Sequence, residues 1–172
     1  MTNRFTDGLD ERAKDLRKAF DDAFASPSLS PQADWIELLL IQTSGQRLAI
    51  RVLELAGVEA GRNVVQIPAV RPGLLGLSAV HGQLVPVYEL GFLLGFRSRD
   101  SAPRWLALRR DQELLAFAFD ELEGSCRIAA REVYARESTT DLSLLSRHAV
   151  RIDSHVVPIL DMPAVASALR RK

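Results

Sequence analysis

From Trp35 to Leu160 the apolar residues fall in short runs that alternate with polar ones or are broken by Gly, Pro and Asp-Ser pairs. That is the signature of short strands joined by tight turns. Trp35–Thr43 (WIELLLIQT) is apolar on nearly both faces, as a central strand must be, and Ser44-Gly45-Gln46 turns it into Arg47–Val52. There Leu48 and Ile50 alternate with Arg47, Ala49 and Arg51, leaving one wetter face. Val64, Val65 and Ile67 lead to Pro68, and Arg71-Pro72-Gly73 is an extended turn. Leu74 to Val80 and Leu84 to Val87 then flank His81-Gly82, a strand, turn and strand. A second hairpin pairs Trp105, Leu106 and Leu108 with Leu115, Phe117 and Phe119. A third pairs Ala149, Val150 and Ile152 with Val156, Val157, Ile159 and Leu160 across Asp153-Ser154. Asp120 to Gly124 reads as a turn toward Ile128, and residues 130–146, which have no strong period, read as loop.

Two stretches have helical spacing instead. Phe5, Leu9, Leu16, Phe20 and Phe24 form one stripe of an amphipathic helix that ends at Ser26-Pro27, followed by a linker to residue 33. This stripe packs on its own domain or docks on a partner. Asp161 can cap a closing helix that accepts Pro163 in its first turn and buries Val165, Ala166 and Leu169.

Pro86 lies inside an apolar strand, where a missing donor predicts an edge or a bulge. Pro158 repeats the situation. GQLVPVYEL and SHVVPILDM share one pattern centred on these prolines, a duplicated device that suggests two linked barrels. After Leu90, the apolar turn Gly91-Phe92-Leu93-Leu94-Gly95 suits the plug of a barrel end.

Gly76, Leu77, Val80, Gly82, Leu84, Val85, Pro86, Val87, Leu90, Leu94 and Gly95 stand at the spacing of the CheW-like domain, the receptor-coupling adaptor of bacterial chemosensory systems. Phe119-Asp120-Glu121-Leu122-Glu123-Gly124 and Leu160-Asp161 match that family's later motifs in order, so residues 34–172 resemble the family over their full length. The resemblance implies a mainly β fold of two linked small five-stranded, SH3-like barrels around a shared apolar core. Here these are joined to an N-terminal amphipathic helix and linker (1–33) and a short C-terminal helix. It further implies a non-catalytic adaptor, cytoplasmic and recruited to membrane-bound receptor arrays. Its partners would be the regulatory domain of a CheA-type histidine kinase and the cytoplasmic tip of a chemoreceptor. On this resemblance Val80, His81, Gly82, Leu84 and Val85 are the expected receptor-facing residues. The family's turn usually carries an arginine where His81 stands, and its acidic partner aligns with Gly57, so both ends of an ion pair are expected to have changed, although Glu54 and Glu59 stand close enough in sequence to shift that alignment. Such a divergence also suits an adaptor of a non-flagellar pathway, governing pili or gliding.

Composition narrows the alternatives. Twenty-two basic residues balance 22 acidic ones and only 6% of residues are aromatic, which argues against a nucleic-acid surface. The N-terminus is charged where a secretory signal needs an apolar core, and no apolar run has the length of a membrane span. His81, His148 and His155 lack zinc-site spacing, although two could meet if the Pro86 and Pro158 hairpins packed together, which keeps a metal-dependent barrel enzyme as a minor alternative. The lone Cys126 has no base near it in sequence, and Asp120, Glu121, Glu89 and Asp161 suit turn and cap roles. No phosphate or dinucleotide loop is present, and no cofactor is expected.

Overall fold

The computed structural model describes residues 34–60, 63–68, 71–96, 104–110, 114–136 and 144–170. The amphipathic stripe from Phe5 to Phe24 lies outside them. The described residues form eleven strands: β1 (Trp35–Thr43), β2 (Gln46–Arg51), β3 (Gly57–Ala60), β4 (Leu74–Val80), β5 (Gln83–Glu89), β6 (Trp105–Arg110), β7 (Leu114–Phe119), β8 (Glu121–Ala129), β9 (Tyr134–Ala135), β10 (His148–Ile152) and β11 (His155–Leu160). Helix α1 (Leu90–Leu93) follows β5, and helix α2 (Met162–Arg170) follows β11.

The strands divide into two sheets that interleave along the chain. A six-stranded sheet runs β8-β1-β2-β11-β10-β9 and a five-stranded sheet runs β3-β6-β7-β5-β4. The mainly β, two-sheet architecture is therefore as expected, with six strands in the first sheet where five were anticipated. The extra pairing comes from residues read as turn and loop. Glu121 to Gly124 is strand, and it extends to Ala129 as β8, antiparallel to β1. Its charged residues alternate because one face of an edge strand is wet, and a register shift between Leu40 and Ile41 leaves Glu123 as the extra residue beside Gly124. Beyond it, Ala130–Glu132 is a 3-10 turn leading to β9, so one connection joins the two edges of the sheet.

Three apolar clusters follow from strand alternation. Leu38, Leu40, Ala49, Val150, Val157 and Ile159 fill the inside of the first sheet. Val80, Val85, Val87, Leu106, Leu108 and Ala116 fill the second. The largest lies between them: Ile41, Leu48, Ile50 and Leu160 from one sheet meet Tyr88, Ala107, Phe117 and Phe119 from the other, sealed by Leu90 and Leu94 at α1 and by Met162, Val165 and Ala166 of α2. This is the shared core, and α1 is the plug read in the sequence.

The duplicated device is real in its pairing. Each Pro-containing strand has an antiparallel neighbour on one side and a parallel one on the other: β5 lies between β4 and β7, and β11 between β10 and β2. Pro86 is thus not on an edge strand. It faces Leu77, whose N–H and C=O both bond Val65 on the far side of β4, and β7 pairing begins only at Val87. The proline therefore leaves no ladder donor missing.

Several carboxylates tie these parts together. Asp161 Oδ1 accepts from the Ala164 N–H at 2.9 Å, the expected cap. Asp120 Oδ2 accepts from the Ser44 N–H at 2.7 Å, fixing the β1–β2 turn in which Ser44 and Gly45 have positive φ. Glu89 makes no side-chain cap at α1; its N–H bonds Gly73 O at 2.8 Å. Glu54 Oε2 accepts from the Met162 N–H at 2.8 Å while Oε1 pairs with Arg51 at 3.1 Å, joining the turn after β2 to the start of α2.

One polar group interrupts the second sheet's interior. Ser78 is 2% exposed and its Oγ has no hydrogen-bond partner. Ser78→Ala removes a buried, unpaired hydroxyl, so thermal or urea unfolding should show stability raised by about 1 kcal/mol.

Candidate interaction site

The β4–β5 hairpin turns through His81 and Gly82, both with positive φ (48° and 77°). This is the backbone that a two-residue hairpin needs, and it projects the turn outward. A Cβ at Gly82 would meet nothing within 4 Å. Beyond the turn, alternation separates the residues expected to act together. Val80 and Val85 are buried in the second sheet's interior, so they shape the hairpin and line no outer surface. His81, Gly82 and Leu84 are exposed, Leu84 at 74%.

Leu84 starts a longer feature. Leu84, Pro86 and Tyr88 share the outer face of β5, running from the exposed turn into the shared core, where Tyr88 is 5% exposed. At the strand spacing of about 3.3 Å per residue this track is about 13 Å long. Cross-strand neighbours widen it: Ala79 lies beside Leu84, and Leu77 and the exposed Val65 lie beside Pro86. Its inner end opens on a cleft of about 110 Å³ lined by Arg71, Pro72, Tyr88, Phe92, Leu93, Ala168 and Leu169. The cleft sits where α1 of one barrel meets α2, which closes the other.

A close polar contact braces the turn. His81 Nε2 lies 2.9 Å from Glu59 Oε1. Glu59 is on β3, the opposite edge of the same sheet from β4, so this contact clasps the seam. The expectation that both ends of the pair had changed is corrected here. The carboxylate is present at Glu59, two residues beyond Gly57 on β3, and the contact between the two edges of the sheet brings it to His81. Alternation within β3 gives Gly57 and Glu59 the same face, a clue that the sequence held.

The remaining chemistry is structural. His148 and His155 lie at opposite ends of the β10–β11 hairpin, and His155 Nδ1 contacts Asp153 O at 2.7 Å. No group of three metal-ligating side chains occurs among the described residues. Burial pushes the Cys126 thiol up from its ordinary value, against the pull of Arg47, which disfavours the nucleophilic thiolate. Arg47 itself pairs with Glu123 at 2.6 Å. Among the described residues no helix is long and apolar enough to cross a membrane.

The fold is thus two sheets around one shared core, with the apolar track of β5 and the turn at His81 on its outside. Residues 37–170 match the CheW-like domain model, and the chain belongs to that family, whose members are non-catalytic scaffold adaptors. The fold is similar to that of the scaffolding protein TtCheW from Thermoanaerobacter tengcongensis, with a TM-score of 0.65 and 12% identity over 73% of this chain and 88% of that one. No curated protein sequence matches the chain.

Proposed function

We propose that this protein couples a chemoreceptor to a CheA-type histidine kinase in a bacterial chemosensory array. Its membership of an adaptor family supports the class, and the apolar track from Leu84 through Pro86 to Tyr88 supports the contact. A receptor's cytoplasmic tip is a coiled coil, and an amphipathic helix from it would lay apolar side chains along the track and toward the junction cleft. The kinase's regulatory domain, itself CheW-like, would meet other barrel surfaces. Several contacts of modest strength then become a stable array through linkage.

Leu84 is the residue to test. Leu84→Asp places a charge on the track at a side chain that is 74% exposed. Folding stability should change by no more than about 0.5 kcal/mol. In a pull-down from native extract with tagged full-length protein, receptor recovery should fall at least about tenfold while kinase recovery persists. Equal receptor recovery by both proteins would remove the track from the receptor contact.

A further inference from the structure

We infer that the cleft between α1 and α2 is a binding site for a small amphipathic carboxylate, whose short apolar chain fills the cleft while its charged end meets Arg71 and Tyr88. The inference is independent of the adaptor reading above, because the ligand is a small molecule and not a protein partner.

The lining combines two kinds of surface. Pro72, Phe92, Leu93, Ala168 and Leu169 give apolar walls, and Arg71 and Tyr88 bring the only polar side-chain groups among the lining residues. Small-molecule sites have this make-up, an apolar hollow with a few converging polar groups that fix orientation. Volume sets the size of the ligand. A dry cavity of about 150 Å³ takes a benzene ring, so an open cleft of about 110 Å³ suits a chain of about four to six carbons. Since α1 follows β5 of one sheet and α2 follows β11 of the other, the occupant would touch both barrels.

The polar groups are held in place before a ligand arrives. Arg71 stands on a pinned turn: its C=O accepts from the Leu74 N–H at 3.2 Å, and Gly73 O accepts from the Glu89 N–H at 2.8 Å. Gly73 has a φ of 78°, and a Cβ there would stand 2.7 Å from Phe92 Cδ1, so the turn lies directly against the α1 wall. The Tyr88 ring is fixed by the shared core. Yet among the described residues neither the Arg71 guanidinium nor the Tyr88 hydroxyl makes a hydrogen bond or ion pair. A guanidinium presents a rigid fork of donors that matches a carboxylate, and a phenol adds another donor. An anion therefore gains charge-assisted hydrogen bonds from groups already positioned, whereas a cation is opposed by Arg71 and a neutral chain leaves the fork unused.

The test titrates the full-length protein with hexanoate, followed by saturation-transfer NMR on the ligand and amide shifts on the protein. Saturable binding with a Kd of about 1 mM or tighter is expected, with shifts at Tyr88, Phe92 and Leu169. Hexan-1-ol, which has the same chain and no charge, should bind at least about fivefold more weakly. Arg71 is exposed, so Arg71→Gln should leave urea unfolding unchanged while weakening hexanoate at least about tenfold and hexan-1-ol not at all. Ala168→Phe, which fills the cleft, should abolish saturable binding of both, with urea unfolding as the check that it is folded; if it is not, Arg71→Gln decides alone. Absence of saturable hexanoate binding, equal affinity of the wild type and Arg71→Gln for hexanoate, or undiminished binding by a folded Ala168→Phe would each overturn the inference and leave the adaptor reading standing.

Discussion

Gly76→Ala should destabilise the protein by about 4 kcal/mol or more, among the largest effects open to a single methyl group. A Cβ at this position would stand 2.1 Å from the Val65 carbonyl oxygen and 2.7 Å from its carbon. Both are backbone atoms, and they are held there because Val65 exchanges two hydrogen bonds with Leu77, at 2.8 and 2.9 Å. The glycine also has a φ of 151°, which L side chains rarely adopt. Relief therefore requires separating residues 63–67 from β4, and with them the Val65 side of the apolar track. Gly82→Ala is the control: its φ of 77° carries a cost of about 1 kcal/mol, but nothing lies within 4 Å of the new methyl. Urea unfolding of the two variants should separate them clearly. Equal losses would mean that backbone conformation alone, and not the approach of Val65, requires glycine at position 76.

Phe117→Ala should cost about 3–5 kcal/mol and should weaken both barrels at once. Phe117 is fully buried, and it lies in the cluster between the sheets, not inside either one. Removing the ring leaves a cavity bordered by elements of both barrels. The two tryptophans make the consequence measurable, since Trp35 belongs to the first sheet and Trp105 to the second. Fluorescence of single-Trp variants during urea unfolding should report one shared transition, shifted to lower urea by the substitution. Two transitions in the parent protein, with only the Trp105 signal shifted by Phe117→Ala, would show that each barrel stands on its own interior.

The local elements were legible because their signals are local. Period-two alternation with Ser44-Gly45, His81-Gly82 and Asp153-Ser154 at the corners located three hairpins, and Asp161 announced the helix it caps. The motif spacing around Gly76, Gly82 and Pro86 was enough to identify the family that residues 37–170 match. Other features depend on partners distant in the chain. β8 looked like a turn because its residues are mostly polar, and only pairing with β1 makes that alternation a strand. Nothing in Trp35–Arg51 says that these strands join β8–β11 while the intervening strands form a separate sheet.

The site was read with the same balance. Alternation alone divides outward Leu84 from inward Val80 and Val85. The contact between Glu59 and His81 was legible only as one alternative, since Glu54, Gly57 and Glu59 lie close in sequence and the meeting of β3 with the turn is what selects Glu59. The track from Leu84 to Tyr88 was hidden for another reason. Its importance depends on which face of β5 meets the second barrel, and that is decided by the shared core.

The central claim is that one chain holds a kinase and a receptor together. Sedimentation velocity of the purified protein with a CheA-type regulatory domain and a chemoreceptor tip fragment tests it most directly. The account predicts a species containing all three, larger than either binary complex, and its loss of the receptor fragment when Leu84→Asp replaces the wild type. A protein that sediments alone, with both partners folded and present in excess, would contradict it.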